Sequence, residues 1–153
     1  MKLTNMQEEY LKTIFLLETT ENKVRVTDIA DKLNRTKASV NTAVKNLVQE
    51  KLITYRAYGS IKLTELGREE SIKIMEAHDI VELFLKDILK VKDENLQEEA
   101  IKIRTILSDD SLNKLAIYTH KTLGLSSLEC GYDINKKNCI SCLRRTERKV
   151  VNE

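Results

Sequence analysis

Residues 27–47 have the sequence T-D-I-A-D-K-L-N-R-T-K-A-S-V-N-T-A-V-K-N-L, which gives the clearest indication of the fold. Thr27-Asp28 is predicted to cap a helix whose apolar positions are Ile29, Ala30 and Leu33. Asn34-Arg35 then makes a tight turn. Thr36 is expected to cap the next helix, which turns inward Val40, Ala43, Val44 and Leu47. Two helices joined by about three residues are typical of a helix-turn-helix.

The flanking segments extend this pattern. Upstream, Asn5-Met6-Gln7-Glu8 has the form of a capping box, and a helix with apolar residues at helical spacing follows it. Downstream, residues 52–56 and 61–63 are predicted strands, joined by a turn at Tyr58-Gly59-Ser60 in which Gly59 is free to adopt a positive φ. Three helices followed by a hairpin predict a winged helix, because a hairpin directly after the second helix of such a pair forms a wing.

The rest of the chain is predicted to be helical. Thr64 is predicted to cap a helix, or a broken pair of helices. Over residues 72–89 this segment is apolar around much of its circumference, so it must be buried against something. A second copy of the chain is the natural candidate. Two more helices are expected, one beginning at Asp93-Glu94 and one capped by Ser108-Asp109. The predicted fold is mostly α: a winged helix-turn-helix over residues 1–71, an all-helical dimerisation domain over 72–125 and a cysteine-rich tail over 126–153.

Composition agrees with a helical globular protein. The 153 residues are 41% apolar, contain no proline and contain four glycines, which disfavours strand-rich folds. No signal-like or membrane-spanning run is present, so we expect a cytoplasmic protein with no membrane partner. Charge is uneven: residues 25–62 hold eight Lys and Arg against three Asp and Glu, whereas residues 64–112 hold seven against thirteen. A basic segment beside an acidic one is compatible with binding a polyanion, and equally with charges scattered over solvated faces.

The helix after Thr36 carries the functional prediction. Residues 36–49 contain no acid, and the outward face carries short polar groups for base edges and cations for phosphates: Lys37, Ser39, Asn41, Thr42 and Lys45. Arg35 and Thr36 stand at the N-terminus of this helix, where backbone N–H groups favour a phosphate. The predicted wing adds Arg56, Tyr58, Ser60 and Lys62. The pattern predicts a DNA-binding transcriptional regulator that acts on double-stranded DNA.

Two other classes of protein remain as alternatives. A protein-interaction adaptor could keep the winged helix and lack DNA binding. An enzyme is disfavoured, because neither histidine has the nucleophile and orienting acid that a catalytic site needs, and no small-molecule substrate is expected.

Five stretches together resemble a known family: E-E-Y-L-K-T-I-F-L-L (8–17), V-T-D-I-A-D-K-L (26–33), T-K-A-S-V-N-T-A-V-K-N-L (36–47), L-T-E-L-G-R (63–68) and A-H-D-I-V-E-L-F-L (77–85). Over about residues 5–118 the chain is similar to the metal-dependent repressors typified by the diphtheria toxin repressor and the manganese transport regulator. The resemblance implies a homodimer, bound to a palindromic operator, whose repression is switched by a divalent metal. The chain leaves no room for the extra SH3-like domain of longer members, so the short layout fits better.

The metal ligands that the resemblance implies are only partly present. Glu9, His78 and Glu82 match ligand positions, and the last two share a helix face at i and i+4. Three further ligand positions are occupied by Ile101, Arg104 and Thr105, and Lys12 replaces an acid. We therefore expect no switching by divalent iron or manganese here, with Glu9, His78 and Glu82 forming either a residual one-ion site or a remnant salt-bridged to Arg104.

The tail supplies a different candidate sensor. Cys130, Cys139 and Cys142 fall within thirteen residues, and the last two form a C-x-x-C that can grip one metal ion or cluster. A fourth ligand could come from His120, from outside or from a partner subunit. An iron–sulfur cluster is the favoured interpretation, with zinc, a metal-free thiol switch and incidental cysteines as alternatives.

Overall fold

The computed structural model describes residues 2–56, 59–124 and 132–135 of the chain. The chain divides into two compact units, Met1–Ile74 and Met75–Glu153, and each has its own apolar core. In the described ranges, no helix combines the length and the apolar character needed to cross a membrane.

The first unit is a winged helix-turn-helix, as predicted. It comprises α1 (Asn5–Thr20), α2 (Val26–Leu33), α3 (Lys37–Gln49), the strands β1 (Ile53–Tyr55) and β2 (Ile61–Leu63), and the first turns of α4 (Glu65–Leu83). The strands are antiparallel, with Ile53 opposite Leu63 and Tyr55 opposite Ile61. All three helices bury apolar residues in one core, which Leu52, Ile53 and Ile61 of the wing also enter. This packing fixes the base of the wing against the helices.

Two local predictions in this unit were wrong. The capping box of α1 is formed by Thr4 and Gln7 rather than by Asn5 and Glu8, because the Thr4 hydroxyl accepts the Gln7 backbone N–H and the Gln7 side-chain carbonyl accepts the Thr4 backbone N–H. The second helix, α2, begins at Val26, since the Asp28 carboxylate accepts the Arg25 N–H at 2.8 Å.

Gly59 does not use its freedom to adopt a positive φ, because its φ lies outside the left-handed region. Its lack of a side chain matters instead, because a Cβ there would lie 2.9 Å from the Arg56 Cβ. The position therefore requires a small residue for reasons of space rather than of backbone conformation.

The second unit is all-helical in its described residues. It contains the rest of α4, a π-helical turn at Phe84–Ile88, α5 (Leu96–Ile106) and α6 (Asp109–Thr122). The fifth helix begins later than the predicted Asp93-Glu94, because the Asp93 carboxylate accepts the Asn95 N–H and so forms a turn.

Apolar residues of α4 contribute to both cores of the chain. Ile74 belongs to the core of the first unit, whereas Ala77, Ile80 and Val81 belong to the core of the second. Two residues of the short segment 132–135 join that second core: Tyr132 and Ile134 are 2% and 7% exposed. Other apolar residues of the segment 72–89 are less covered: Ile72, Met75 and Ile88 are half-buried and Leu89 is exposed. The expectation that a second copy covers them stays a prediction.

Candidate nucleic-acid interface

The helix α3 presents the face that the sequence predicts. Thr36 caps it by accepting the Ser39 N–H at 3.2 Å, and the apolar side of the helix is buried in the core. Every predicted contact residue on the other side is exposed: Lys37, Ser39, Asn41, Thr42 and Lys45. A helix with one buried face and one exposed, acid-free face is suited to lie in the major groove.

Three hydroxyl groups on this face have contacts of their own. Thr36 Oγ1 lies 2.9 Å from Ser39 Oγ, and the Thr42 hydroxyl donates to the Ala38 carbonyl at 3.1 Å. Because Ser39 accepts the Thr36 hydroxyl, it keeps its own donor and one acceptor lone pair, whereas Thr42 uses its single donor on Ala38 and keeps only acceptor capacity. The Asn41 amide offers both a donor and an acceptor, which makes it the best equipped of the polar side chains for reading a base edge.

The turn before α3 holds Arg35 in place. Asn34 adopts the left-handed conformation with φ 51° and ψ 50°, which asparagine tolerates better than most residues. The Arg35 guanidinium donates to the Glu9 carboxylate at 2.7 Å and lies 5.7 Å from the centre of the Tyr10 ring. Sequence analysis placed Glu9 in a metal site and missed this pair, because no local pattern relates two residues 26 positions apart.

The described part of the wing carries exposed cations. Arg56 and Lys62 are exposed and Ser60 is half-buried, whereas Tyr58 lies outside the described residues. Arg56 follows the end of β1 and Lys62 lies within β2, so two cations stand on the same hairpin. These positions are suited to contacts with the DNA backbone.

Sequence analysis also missed Glu18, which anchors the wing. Its carboxylate accepts the Leu63 N–H of β2 at 2.8 Å and the Arg68 guanidinium at 2.6 Å. The available signal was its spacing from Leu11 and Ile14, which places an acid on the buried face of α1.

The ligand positions implied by the family resemblance are not gathered into one cluster in the described part of the chain. Glu9 is paired with Arg35, while His78 is 8% exposed and Glu82 is half-buried on α4. Among the residues that the structure describes, no group of three or more His, Cys, Asp or Glu is arranged to hold a metal ion. With few donors, one of them already in an ion pair, this set does not fit a divalent cation.

The three substituted positions add no donors. Ile101 is apolar, and the Thr105 hydroxyl donates to the Lys102 carbonyl at 2.6 Å. Arg104, expected beside Glu82 or Glu9, instead donates to the Leu107 carbonyl at 3.2 Å and lies 3.5 Å from the Asp109 carboxylate. The short connection into α6 brings both of these acceptors within its reach.

His120 lies in the core of the second unit. It is 1% exposed, and its ring meets the Tyr132 ring edge-on with centroids 6.1 Å apart. Burial lowers the pKa of His120 below its ordinary value. The segment that carries Tyr132 is anchored on α6, because the Asn113 side-chain carbonyl accepts the Ile134 N–H at 3.0 Å. Cys130, Cys139 and Cys142 lie outside the described residues.

Two family models match the chain. Residues 2–61 match the N-terminal DNA-binding domain of iron-dependent repressors, and residues 64–121 match the metal-binding and dimerisation domain of iron-dependent repressors. An uncharacterised HTH-type transcriptional regulator of Methanocaldococcus jannaschii is 34% identical over 115 residues, which cover 74% of this chain and 92% of the relative. The HTH-type transcriptional regulator MntR of Geobacillus kaustophilus is 26% identical over 136 residues, or 88% and 96% of the two chains.

Solved structures show the same fold. ScaR with bound Zn2+ is 27% identical with a TM-score of 0.66, over 77% of this chain and 53% of that one. The T. acidophilum IdeR structure is 23% identical with a TM-score of 0.66, over 88% of this chain and 60% of that one. The chain thus spans between half and two thirds of these two solved chains. The matches confirm the resemblance that the five sequence stretches indicated.

Proposed function

The chain belongs to the iron-dependent repressor family of DNA-binding transcriptional regulators, and we propose that it represses transcription by binding a palindromic operator as a homodimer. The observation that carries this proposal is the exposed face of α3, which contains cations and amides and no acid. In this proposal, Asn41, Ser39 and Thr42 face base edges in the major groove. Lys37, Lys45 and Arg35 face phosphates, and the wing reaches the adjacent backbone.

A salt titration of DNA affinity tests this assignment. Lys45→Ala should weaken binding to all sequences and reduce the slope of log affinity against log salt by about 0.9, because one phosphate contact is lost. The double variant Ser39→Ala/Thr42→Ala should instead reduce the preference for the operator over random DNA by about tenfold or more, since base contacts carry specificity.

Lys121→Ala provides the matched control, because Lys121 is an exposed lysine at the end of α6, outside the proposed interface. Its salt slope should equal that of the unmodified protein. If the unmodified protein has no salt-dependent affinity for its own promoter region, the proposed function is wrong.

The cysteine cluster is the proposed sensor. The donor set at Glu9, His78 and Glu82 supports an input other than divalent iron or manganese, so the signal is assigned to Cys130, Cys139 and Cys142 binding an iron–sulfur cluster or zinc. The stretch 132–135 lies between the first two cysteines, and its contacts with His120 and Asn113 connect this part of the chain to α6.

Anaerobic purification tests the sensor. A cluster should give visible absorption near about 400 nm that disappears on oxidation and is absent from Cys139→Ser/Cys142→Ser. Colourless protein with stoichiometric zinc would favour a structural site instead. Protein without bound metal whose DNA affinity does not change on oxidation would contradict sensing by these cysteines. A gain in DNA affinity with manganese or ferrous ion that depends on His78 would restore the family site as the switch.

A further inference from the structure

One carboxylate joins three elements of the winged helix. Glu18 stands in the last turns of α1 and its side chain is 16% exposed. One oxygen accepts the Leu63 N–H of β2 at 2.8 Å, and the other accepts the Arg68 guanidinium, in the first turn of α4, at 2.6 Å. A hydrogen bond from a backbone amide to a charged acceptor is stronger than one to a neutral acceptor.

This contact completes the outer edge of the wing. Ile61 and Leu63 are two positions apart, so both N–H groups point to the side of β2 that faces away from β1. The Val24 carbonyl accepts the Ile61 N–H at 2.8 Å, and Glu18 accepts that of Leu63. Each strand of the wing has three residues, and a hairpin of that size is marginal by itself. Its position therefore depends on these anchors together with the burial of Ile53 and Ile61 in the core.

The same carboxylate also fixes the start of α4. Arg68 lies 5.8 Å above the Phe15 ring while it donates to Glu18. The Thr64 hydroxyl donates to the Lys51 carbonyl at 2.7 Å, which ties this end of α4 to the residues before β1. Because α4 continues from the first unit into the second, Glu18 stands where the wing meets the helix that leads to the other unit.

We propose that Glu18 is a positioning residue for DNA binding, which holds the wing so that Arg56 and Lys62 meet the DNA backbone. This inference rests on the proposed function, but its geometry does not depend on DNA. Without the carboxylate, the Leu63 N–H and Arg68 lose their acceptor, and the hairpin has to be ordered when DNA binds, at a cost in affinity.

The direction of the expected change in DNA affinity makes the inference testable. Removing a negative charge from a DNA-binding protein should by itself strengthen binding, because the protein becomes more positive. We expect the opposite for Glu18→Ala: affinity lower by on the order of tenfold and a shallower salt dependence, because wing cations are lost from the complex. Glu21→Ala is the matched control, since Glu21 is an exposed acid three residues further along and should not weaken binding.

A double-mutant cycle with Lys62 locates the effect in the wing. Lys62→Ala should cost less in the Glu18→Ala background than in the unmodified protein, because the wing contact is already impaired. Equal costs in both backgrounds, or equal affinities for Glu18→Ala and Glu21→Ala, would overturn the proposal. Glu18→Gln replaces Glu18→Ala if the latter fails to fold: it keeps an acceptor for Leu63, loses the charge toward Arg68 and should give an intermediate loss.

Hydrogen exchange of the Leu63 amide decides the proposal without DNA. Exchange at Leu63 should accelerate at least several-fold in Glu18→Ala relative to Glu21→Ala, because the amide loses its acceptor. An unchanged rate would overturn the proposal even if the protein bound no DNA. Absent DNA binding together with accelerated exchange would contradict the proposed function and leave the anchoring role of Glu18 in place.

Discussion

In the proposed DNA complex, the Arg35 guanidinium has two competing partners, the Glu9 carboxylate and a phosphate. Both side chains of the ion pair are more than a third exposed, so the pair contributes about 0.2–1 kcal/mol. Glu9→Gln should therefore raise DNA affinity about 1.5- to 5-fold, because Arg35 no longer has to give up a charged partner. Binding isotherms at one fixed salt concentration measure this change.

The control for this prediction is the Glu9→Gln substitution in a protein that lacks the Arg35 side chain. In an Arg35→Ala background, Glu9→Gln should change affinity little, since the competition has been removed. A gain of equal size in both backgrounds would mean that the Glu9 charge acts on DNA directly. A loss of affinity in Glu9→Gln would mean that Glu9 positions Arg35 rather than competing for it.

At the scale of single residues, the caps of α3, α4 and α6 were predictable, those of α1 and α2 were misplaced, and distant pairing was not predictable. Thr36, Thr64 and Ser108 cap helices as expected, because a cap depends on residues within three positions. The partners of Glu9 and Glu18 are 26 and 45 or more positions away, so they follow from the tertiary fold. The DNA contacts could be predicted from the sequence because the residues lie on one helix and one hairpin, and they stay a prediction.

The helix α6 should make the stability of the second unit depend on pH. Burial holds the pKa of His120 below its ordinary value of 6.5, and unfolding restores that value. Below about pH 6.5 the unfolded chain then binds more protons than the folded one, so the free energy of unfolding falls as pH decreases toward the folded pKa. The contribution is fully present above that range. Denaturant unfolding at pH 7.5 and 5.5 measures it.

The substitution His120→Gln isolates this contribution. It should lower stability at pH 7.5, because the packing against Tyr132 changes, and it should reduce the difference between the two pH values. For one histidine that difference cannot exceed about 1.4 kcal/mol per pH unit. An unchanged pH dependence in the variant would show that other groups are responsible.

At the scale of elements, the existence and type of the helices and strands followed from periodicity, whereas some details did not. An isolated antiparallel bridge pairs Val24 with Ile61 of β2, on the side of β2 that faces away from β1. The two residues are 37 positions apart in the sequence. The π-helical turn Phe84–Ile88 contains no proline or glycine that would mark an irregularity in the sequence. Its hydrogen bond runs from the Leu89 N–H to the Phe84 carbonyl, five residues earlier, at 3.0 Å.

For the whole molecule, the proposed dimer should depend on exposed apolar side chains of the second unit. Ile106 is 82% exposed, and Tyr118 and Leu89 are 56% and 54% exposed. Large apolar groups in water favour association, and this unit matches a dimerisation domain. We expect Ile106→Lys to weaken the dimer at least tenfold in sedimentation equilibrium while leaving the fold intact, because this side chain is outside the core.

Exposed Lys114→Ala serves as the control for the dimer and should leave the association constant unchanged. Wild-type protein that stays monomeric at micromolar concentration would contradict the dimer. At this scale the sequence predicted a winged helix-turn-helix followed by an all-helical region, because the hydrophobic periodicity that distinguishes them is local. It did not predict that residues 132–135 return to the second core, since four residues carry too little pattern to show where they dock.

The anchoring of β2 also bears on how the protein is made. Both acceptors on its outer edge, the Val24 carbonyl and the Glu18 carboxylate, precede β2 in the chain and leave the ribosome before it. Strand edges that wait for a partner are where nascent chains associate with one another. Here the edge can be closed as soon as the strand emerges, so the winged helix can complete its sheet during translation, before the second unit has been synthesised.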